Sequence, residues 1–366
     1  MQKIVKNSKS KSWVCDVILG NSNPRFSGVT STMLQVLPYQ QKIITISVLG
    51  KHHLPAETST LSFNECIRKL KKPNINGAAF IFHARRNNEM LQAVALKYIF
   101  RAKIKIVFTA TAQRQPSWIT RWLISKADGL LTTSNAAAVY LPRSPDLIIP
   151  HGIDSARFHP GSLEKKMAWK ALKLPGKFGL GIFGRIRPQK GIDLLVDSMI
   201  QIFKNNPNCE ASVLVVGETT KKHEQYLKSL KNRIQEAQLS RRFIFLGKQP
   251  FEKIPELMRG MSIVTALSRN EGFGLTVLEA MSSGCAVLAS NAGAWGDIIK
   301  NEFGRLVPAD NLGSTVVTLE KLLSLPVNSI DDMGARARLE IEKNYAIEQE
   351  AKRLVDFYRF LQSQAK

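Results

Sequence analysis

At 366 residues, with 44% hydrophobic and 22% charged side chains, the chain has room for two ordinary domains and the composition of a globular protein. The formal net charge is +23, and it is unevenly placed: residues 1–150 hold 21 Lys and Arg against 6 Asp and Glu, whereas residues 151–366 hold 31 against 23. Such a field recruits phosphates, whether of nucleic acid, anionic lipid or phosphorylated sugar, while the absence of any run near ~20 apolar residues argues against a membrane span.

In chain order, the N-terminal segment M-Q-K-I-V-K-N-S-K-S-K-S is basic. The apolar run behind it is short and broken by Asp16, so no signal peptide is expected. Short apolar runs at 13–19, 43–49, 78–83, 104–109, 130–133 and 147–149 predict strands. Helical patterns cover 28–37, 87–101 and 118–126. Continuous apolar strands alternating with helices imply a parallel sheet covered on both faces, in a doubly wound α/β arrangement.

The segment I-P-H-G-I-D-S-A-R-F-H-P (149–160) is rich in Pro and Gly and reads as a join. Beyond it the pattern repeats, with strands expected at 178–183, 212–216, 243–246, 262–266 and 286–289. Helices are expected at 192–204, 223–238, 254–258, 276–283, 312–325 and 346–364. The expected organisation is therefore an N-terminal Rossmann-like domain over 1–150, a second over 151–345, and a C-terminal helix over 346–366 packing back on the first, with a cleft between the domains. Cys15, Cys66, Cys209 and Cys285 form no CxxC pair; buried free thiols in a reducing compartment fit best. The six histidines form no H-x3-H or similar array, so no metal site is expected.

Two segments carry chemistry. G-R-I-R-P-Q-K-G (184–191) follows a predicted strand and precedes a predicted helix. Arg185, Arg187 and Lys190 supply cations there, Gly184 and Gly191 permit close backbone approach, and the helix N-terminus adds amide donors. E-G-F-G-L-T-V-L-E (271–279) follows another predicted strand. Gly272 and Gly274 free the backbone, so the amides of Gly272, Phe273 and Gly274 can point into a cleft; Glu271 sits just before the helix and Glu279 about one turn inside it. Cations suited to a diphosphate, followed by carboxylates suited to sugar and ribose hydroxyls, describe a site for a nucleotide sugar. Each segment alone can be a solvated loop or a helix cap.

Together, in this order and spacing, these segments and P-H-G-I-D (150–154) resemble the retaining glycosyltransferases of family 4, which have the GT-B fold. A-M-S-S-G-C-A-V-L-A-S (280–290) looks like that family's helix-to-strand step. The resemblance implies that Arg185 and Lys190 neutralise the donor diphosphate, that Glu271 binds a donor-sugar hydroxyl, and that Glu279 binds the ribose. It implies that Gly28 is the glycine of a loop near donor phosphate or acceptor, although Ser27 stands where the family often has a second glycine. It also implies that His83 faces the reacting sugar, where the residue alone equally allows a satisfied strand-end histidine, and that Arg85 and Arg86 then face an anionic acceptor. Arg114, also at a predicted strand end, is a lesser acceptor candidate, a solvated arginine being the readier reading. No cofactor or metal is expected, the nucleotide sugar being a substrate.

F-H-A-R-R-N-N-E-M (82–90) and F-S-G-V-T-S-T (26–32) look like the mannosyltransferases of the lipopolysaccharide inner core. That implies GDP-mannose as donor and a Kdo-bearing, lipid-linked anionic glycan as acceptor. The enzyme would then be cytoplasmic and peripheral on the inner face of the cytoplasmic membrane, with Trp118, Trp122 and Phe26 as exposed aromatics. Other donors (UDP- or ADP-glucose, galactose, N-acetylglucosamine) or acceptors remain alternatives. A non-catalytic nucleic-acid-binding protein is a further one, but the chain lacks aromatics interleaved with Lys and Arg on a reading module, and that role leaves Glu271 and Glu279 without a purpose.

Overall fold

A computed structural model describes residues 15–25, 27–71, 73–74 and 77–364. The basic segment 1–12, the start of the first expected strand at 13–14, and Phe26 lie outside them. The chain divides into two compact units. One comprises Met1–Ala110, Ser117–Leu131 and Ala351–Lys366; the other comprises Thr111–Pro116 and Thr132–Glu350.

The first sheet contains β1 (Val17–Gly20), β2 (Ile46–Leu49), β3 (Thr60–Leu61), β4 (Phe80–Ala84), β5 (Ile104–Thr109), β6 (Gly129–Thr132) and β7 (Leu147–Ile148), in the order β3-β2-β1-β4-β5-β6-β7. β1 runs parallel to both β2 and β4. Val17, Ile18 and Leu19 have no exposed surface, as expected of a strand covered on both faces. The last helix, Ile347–Ser363, lies mostly in the first unit, where Lys105 Nζ donates to the carbonyls of Leu361 (2.6 Å) and Gln364 (2.7 Å). A lysine there satisfies carbonyls that a helix end leaves without partners.

The second sheet contains β8 (Phe178–Phe183), β9 (Ala211–Val216), β10 (Phe243–Gly247), β11 (Met261–Ala266), β12 (Ala286–Ser290) and β13 (Gly304–Val307), in the order β10-β9-β8-β11-β12-β13, with every pairing parallel. Helix Ile192–Asn205 buries Ile192, Leu195, Val196, Met199, Ile202 and Phe203, a helical stripe in which each side chain contributes about 1.5–3 kcal/mol. Both sheets are doubly wound, and each reverses direction between its first and fourth strands: β1/β4 in one, β8/β11 in the other. Ligands of such sheets bind beyond the carboxyl ends of the strands at that reversal.

Sequence patterning located the main strands and helices but passed over several elements. The largest is helix Val327–Asn344, which buries Ile330, Met333, Ala337 and Ile341. The expected helix over 87–101 is α-helical only to Val94, continues as a π-helical turn to Ile99, and is followed by Arg101 at φ +55°.

Candidate active site

In the second unit, the loop after β8 and the loop after β11 emerge side by side at the reversal. Gly184, at φ +141°, donates its N–H to Val216 O, and its carbonyl lies so close to Gly217 that a Cβ there would sit 1.7 Å away. Gly191, at φ +65°, presses against the carbonyl of Leu267, which would stand 2.0 Å from an added Cβ. Only glycine fits there, because both the conformation and the space exclude a side chain. Arg269 ties the two loops: its Nη2 contacts Asp193 at 2.7 Å, Nε contacts Asp310 at 2.7 Å, and Nη1 donates to the carbonyl of Pro188. Burial opposes ionisation of Asp193, but hydrogen bonds from Arg269 and Tyr226 outweigh it and hold the carboxyl below its ordinary range.

This framework brings Lys190 to Glu271, Nζ to Oε2, at 2.5 Å, both side chains about four-fifths shielded from solvent. Ser268 Oγ donates to the same oxygen at 3.3 Å, and the Gly272 N–H donates to Glu271 Oε1 at 3.2 Å. Gly272 has open space where a side chain would be. Gly274, at φ +82°, is pinned by Trp295, whose Nε1 donates to its carbonyl at 2.9 Å. The amides of Phe273 and Gly274 have no hydrogen-bond acceptor among the described residues, so of the three expected donors two are free and the Gly272 amide is occupied by its neighbour's carboxylate.

Glu279, on helix Leu275–Ser282, has no hydrogen-bond partner for its carboxyl group among the described residues. Burial pushes its pKa up to about 7, against the pull of Arg157 and Lys190. Lys190 therefore acts on both glutamates. Gly184, Lys190, Ser268, Thr276 and Trp295 line one small recess. Arg185 is exposed and makes no ion pair or hydrogen bond among the described residues; Arg187, beside it, has a buried Nε without a partner. Lys190, rather than Arg185, is the cation that joins the two segments. Arg157, Arg269 and Trp295 were not singled out from the sequence. In the sequence, L-S-R-N (267–270), between the strand expected at 262–266 and Glu271, marks Arg269 only as a turn residue, and no local pattern signals Arg157, whose guanidinium lies 3.9 Å from the Phe251 ring centroid.

The first unit treats its expected residues differently. His83 on β4 is fully buried, with Nδ1 2.6 Å from the Tyr358 hydroxyl and Nε2 2.7 Å from Thr109 Oγ1. Burial, and then the Arg85 charge, hold it well below the usual histidine range, so the ring is neutral. As placed, it has no nitrogen left for a sugar, and the expected sugar-facing role is replaced by an internal one. Arg86 is likewise committed: Nη1 meets the buried carboxylate of Glu89 at 2.8 Å, and Nη2 donates to Ser27 Oγ (2.9 Å) and Thr30 Oγ1 (2.6 Å). Instead of facing an acceptor, it ties the loop after β1 to the loop after β4. Arg85 keeps donor capacity, since its Nη1 has no partner. Gly28 is exposed at the start of helix Gly28–Gln41, with nothing near its missing Cβ. Arg114, in the segment Thr111–Pro116, is exposed.

A second surface in the first unit is apolar and basic. Helix Trp118–Ser125 buries Leu123 and Ile124 but presents Trp118, 78% exposed, with Ile119 and Trp122. Tyr98 is 54% exposed and Ile99 72%, both on the π-helical turn that follows helix Asn87–Val94. Lys126 Nζ stands 5.8 Å from the Trp122 ring centroid and 5.9 Å from that of Tyr98. Among the described residues, no helix is long and apolar enough to cross a membrane.

Residues 165–340 match the family model described as glycosyl transferases group 1. The chain is 38% identical over 351 residues to the lipopolysaccharide core biosynthesis mannosyltransferase LpsB of Rhizobium meliloti, covering 94% of this chain and 97% of that protein. It is 37% identical to the corresponding enzyme LpcC of Rhizobium leguminosarum bv. viciae, covering 94% and 96%. The crystal structure of Anabaena HepE with UDP and glucose superposes with a TM-score of 0.75 over 94% of this chain and all of that one, at 17% identity, which is a likeness of fold. With paired doubly wound sheets, a shared sequence over nearly its whole length and a Lys–Glu site at the sheet reversal, the chain belongs to the group 1 glycosyl transferases and is a GT-B hexosyltransferase.

Proposed function

We propose that the protein transfers mannose from GDP-mannose, with retention of configuration, to the Kdo inner core of a lipopolysaccharide precursor at the cytoplasmic face of the membrane. The observation that carries the chemistry is the contact of Lys190 with Glu271 at the β8/β11 reversal, with Glu279 in the same field. Lys190 meets the donor diphosphate, and Arg185, exposed beside it, adds a second cation. Glu271 accepts from a sugar hydroxyl, Glu279 from the ribose, and the free amides of Phe273 and Gly274 cradle the distal phosphate and sugar. Charge on the leaving phosphate grows in the transition state, so cations held there lower the barrier as well as aiding binding. In this reading the C1–O bond to the β-phosphate breaks as the acceptor oxygen bonds C1 from the same face. The acceptor proton passes to a phosphate oxygen. With the leaving group as base, the reaction needs no protein base, consistent with the neutral, enclosed His83, and cations at the diphosphate take the place of a metal.

The choice of mannose and of a lipopolysaccharide acceptor is supported by the activities named for the two Rhizobium relatives. Arg85, with an unpartnered Nη1, is the acceptor-side cation of this reading, and Gly28 lies on the same side. The Trp118–Trp122 face with Lys126 suits an anionic bilayer, since aromatic rings favour the headgroup level and basic side chains there are each worth about 1 kcal/mol.

Incubation with a panel of labelled GDP-, UDP- and ADP-sugars, with and without Kdo–lipid A, tests the reading. Acceptor-dependent transfer from GDP-mannose is expected. Transfer only from another donor overturns the choice of mannose. A hundredfold excess of GDP over its dissociation constant should stabilise the fold by about 2.7 kcal/mol.

A further inference from the structure

The join between the predicted domains carries a pair of residues outside the donor groups just described. Gly152 N donates to Glu350 Oε2 at 2.7 Å, and His151 Nδ1 lies 2.9 Å from Glu350 Oε1. Glu350 is only 7% exposed, so both of its oxygens are satisfied by this one stretch of chain. The stretch is stitched further: Ile153 N donates to Tyr345 O at 2.9 Å, and Ile347 N to Ile153 O at 3.1 Å. The approach is so close that a Cβ on Gly152 would stand 2.5 Å from Ile347 Cα. His151 is thereby held by a carboxylate at one ring nitrogen, which sets its orientation. Its other face of contact is Phe273: the ring centroids are 4.9 Å apart at 80°, an edge-to-face arrangement.

Phe273 is the side chain between Gly272 and Gly274 in the loop whose free amides face the donor in the proposed function. Its glycine neighbours offer no side chains to hold that loop. Their carbonyls are held instead, Gly272 O by Gln113 Nε2 at 2.9 Å and Gly274 O by Trp295. Between these two points the Phe273 ring is buried in the core of the second unit, and His151 meets it edge-on.

We propose that Glu350 and His151 are positioning residues for the Glu271–Gly274 loop: the carboxylate orients the imidazole, and the imidazole fixes Phe273 and so the amides on either side of it. This rests on reading that loop as the donor site. The chain from Glu350 to the amides contains no group that contacts substrate, so its effect is on placement, and a 1 Å misplacement of a reacting group costs on the order of 10²-fold in rate.

Hydrogen exchange of the ligand-free protein and steady-state turnover test the idea together. In H151A, amides 272–274 should exchange about tenfold faster while the other units of the fold keep their protection. Turnover should fall by roughly 10–100-fold, with donor KM shifting by less than about threefold. H151F, which restores an aromatic edge without the hydrogen bond, should recover part of both, to about the level of E350Q. E350Q, which keeps an acceptor for Gly152 and so spares the fold, should loosen the loop to an intermediate degree, and H151A/E350Q should be no worse than H151A. Unchanged loop exchange in H151A, or H151F as impaired as H151A, overturns the proposal. So does loss of protection spread evenly over the chain. If the wild type does not use GDP-mannose, the donor assignment fails, while ligand-free exchange still decides this proposal.

Discussion

The two units meet their sheet reversals in opposite ways. At β1/β4 two of the three expected groups are consumed by the protein itself, Arg86 by Glu89, Ser27 and Thr30, and His83 by Tyr358 and Thr109, while Arg85 Nη1 is left without a partner. At β8/β11 the groups stay available. Glu279 lacks a hydrogen-bond partner among the described residues, two loop amides are free, and Lys190 is held by a single carboxylate at the rim of a recess. The same topology thus builds a mostly self-satisfied wall, with Arg85 its exception, in one case and a polar, unsaturated surface in the other. Unsaturated groups are what a ligand can engage; saturated ones hold a loop in place.

Arg86→Ala should sharpen this contrast most. It leaves the buried Glu89 without its counter-charge, held only by the N–H groups of residues 85 and 86, so about 3 kcal/mol of stability should be lost in chemical denaturation, with GDP affinity of the folded fraction unchanged. A folded, fully stable variant would refute the internal role. Lys190→Ala should do the reverse: a stability near wild type and a fall in turnover of roughly 10²–10³-fold, about 2.7–4 kcal/mol in the barrier. Turnover near wild type would remove Lys190 from the site.

Glu271→Ala should cost roughly 1.5–3 kcal/mol in transfer, the range of a charge-assisted hydrogen bond, and less in binding of free GDP. Equal losses in both would mean that Glu271 addresses the nucleotide rather than the sugar. Glu279→Gln gives an effect that is read in stability and depends on pH. The Glu279 carboxyl is raised from 4.5 to about 7, so the folded chain binds its proton more tightly than the unfolded chain does. Its contribution to stability is full below about pH 4.5 and fades as pH rises through 7. Between pH 5 and 7.5 the melting temperature of the wild type should therefore decline more steeply than that of Glu279→Gln; parallel curves would show that the carboxyl is not perturbed.

The doubly wound fold and the positions of the two chemical loops were legible from the chain alone. Buried parallel strands must be apolar along their whole length, and loops that approach a phosphate closely need glycine and cations at fixed spacing. Helix Val327–Asn344 shows the limit of patterning: its stripe runs through small residues such as Gly334 and Ala337, whose burial comes from close approach, a Cβ on Gly334 falling 2.1 Å from Gly284 O. The fate of each polar side chain was legible only in part. F-H-A-R-R is expected from the sequence to face sugar and acceptor, because nothing local reveals a hydroxyl at Tyr358, 275 residues away, or the Ser27 and Thr30 that claim Arg86.

Sequence by itself determined the architecture, the order of the loops and the kind of chemistry they carry, since these follow from periodicity, glycine placement and charge. Tertiary structure alone decided which groups are spent and which are free: it paired Lys190 with Glu271, gave Arg269 the task of tying the loops, and closed His83 away. The physical reason is that hydrogen-bond satisfaction and desolvation depend on what the fold brings within about 3 Å, and distance along the chain carries no information about that.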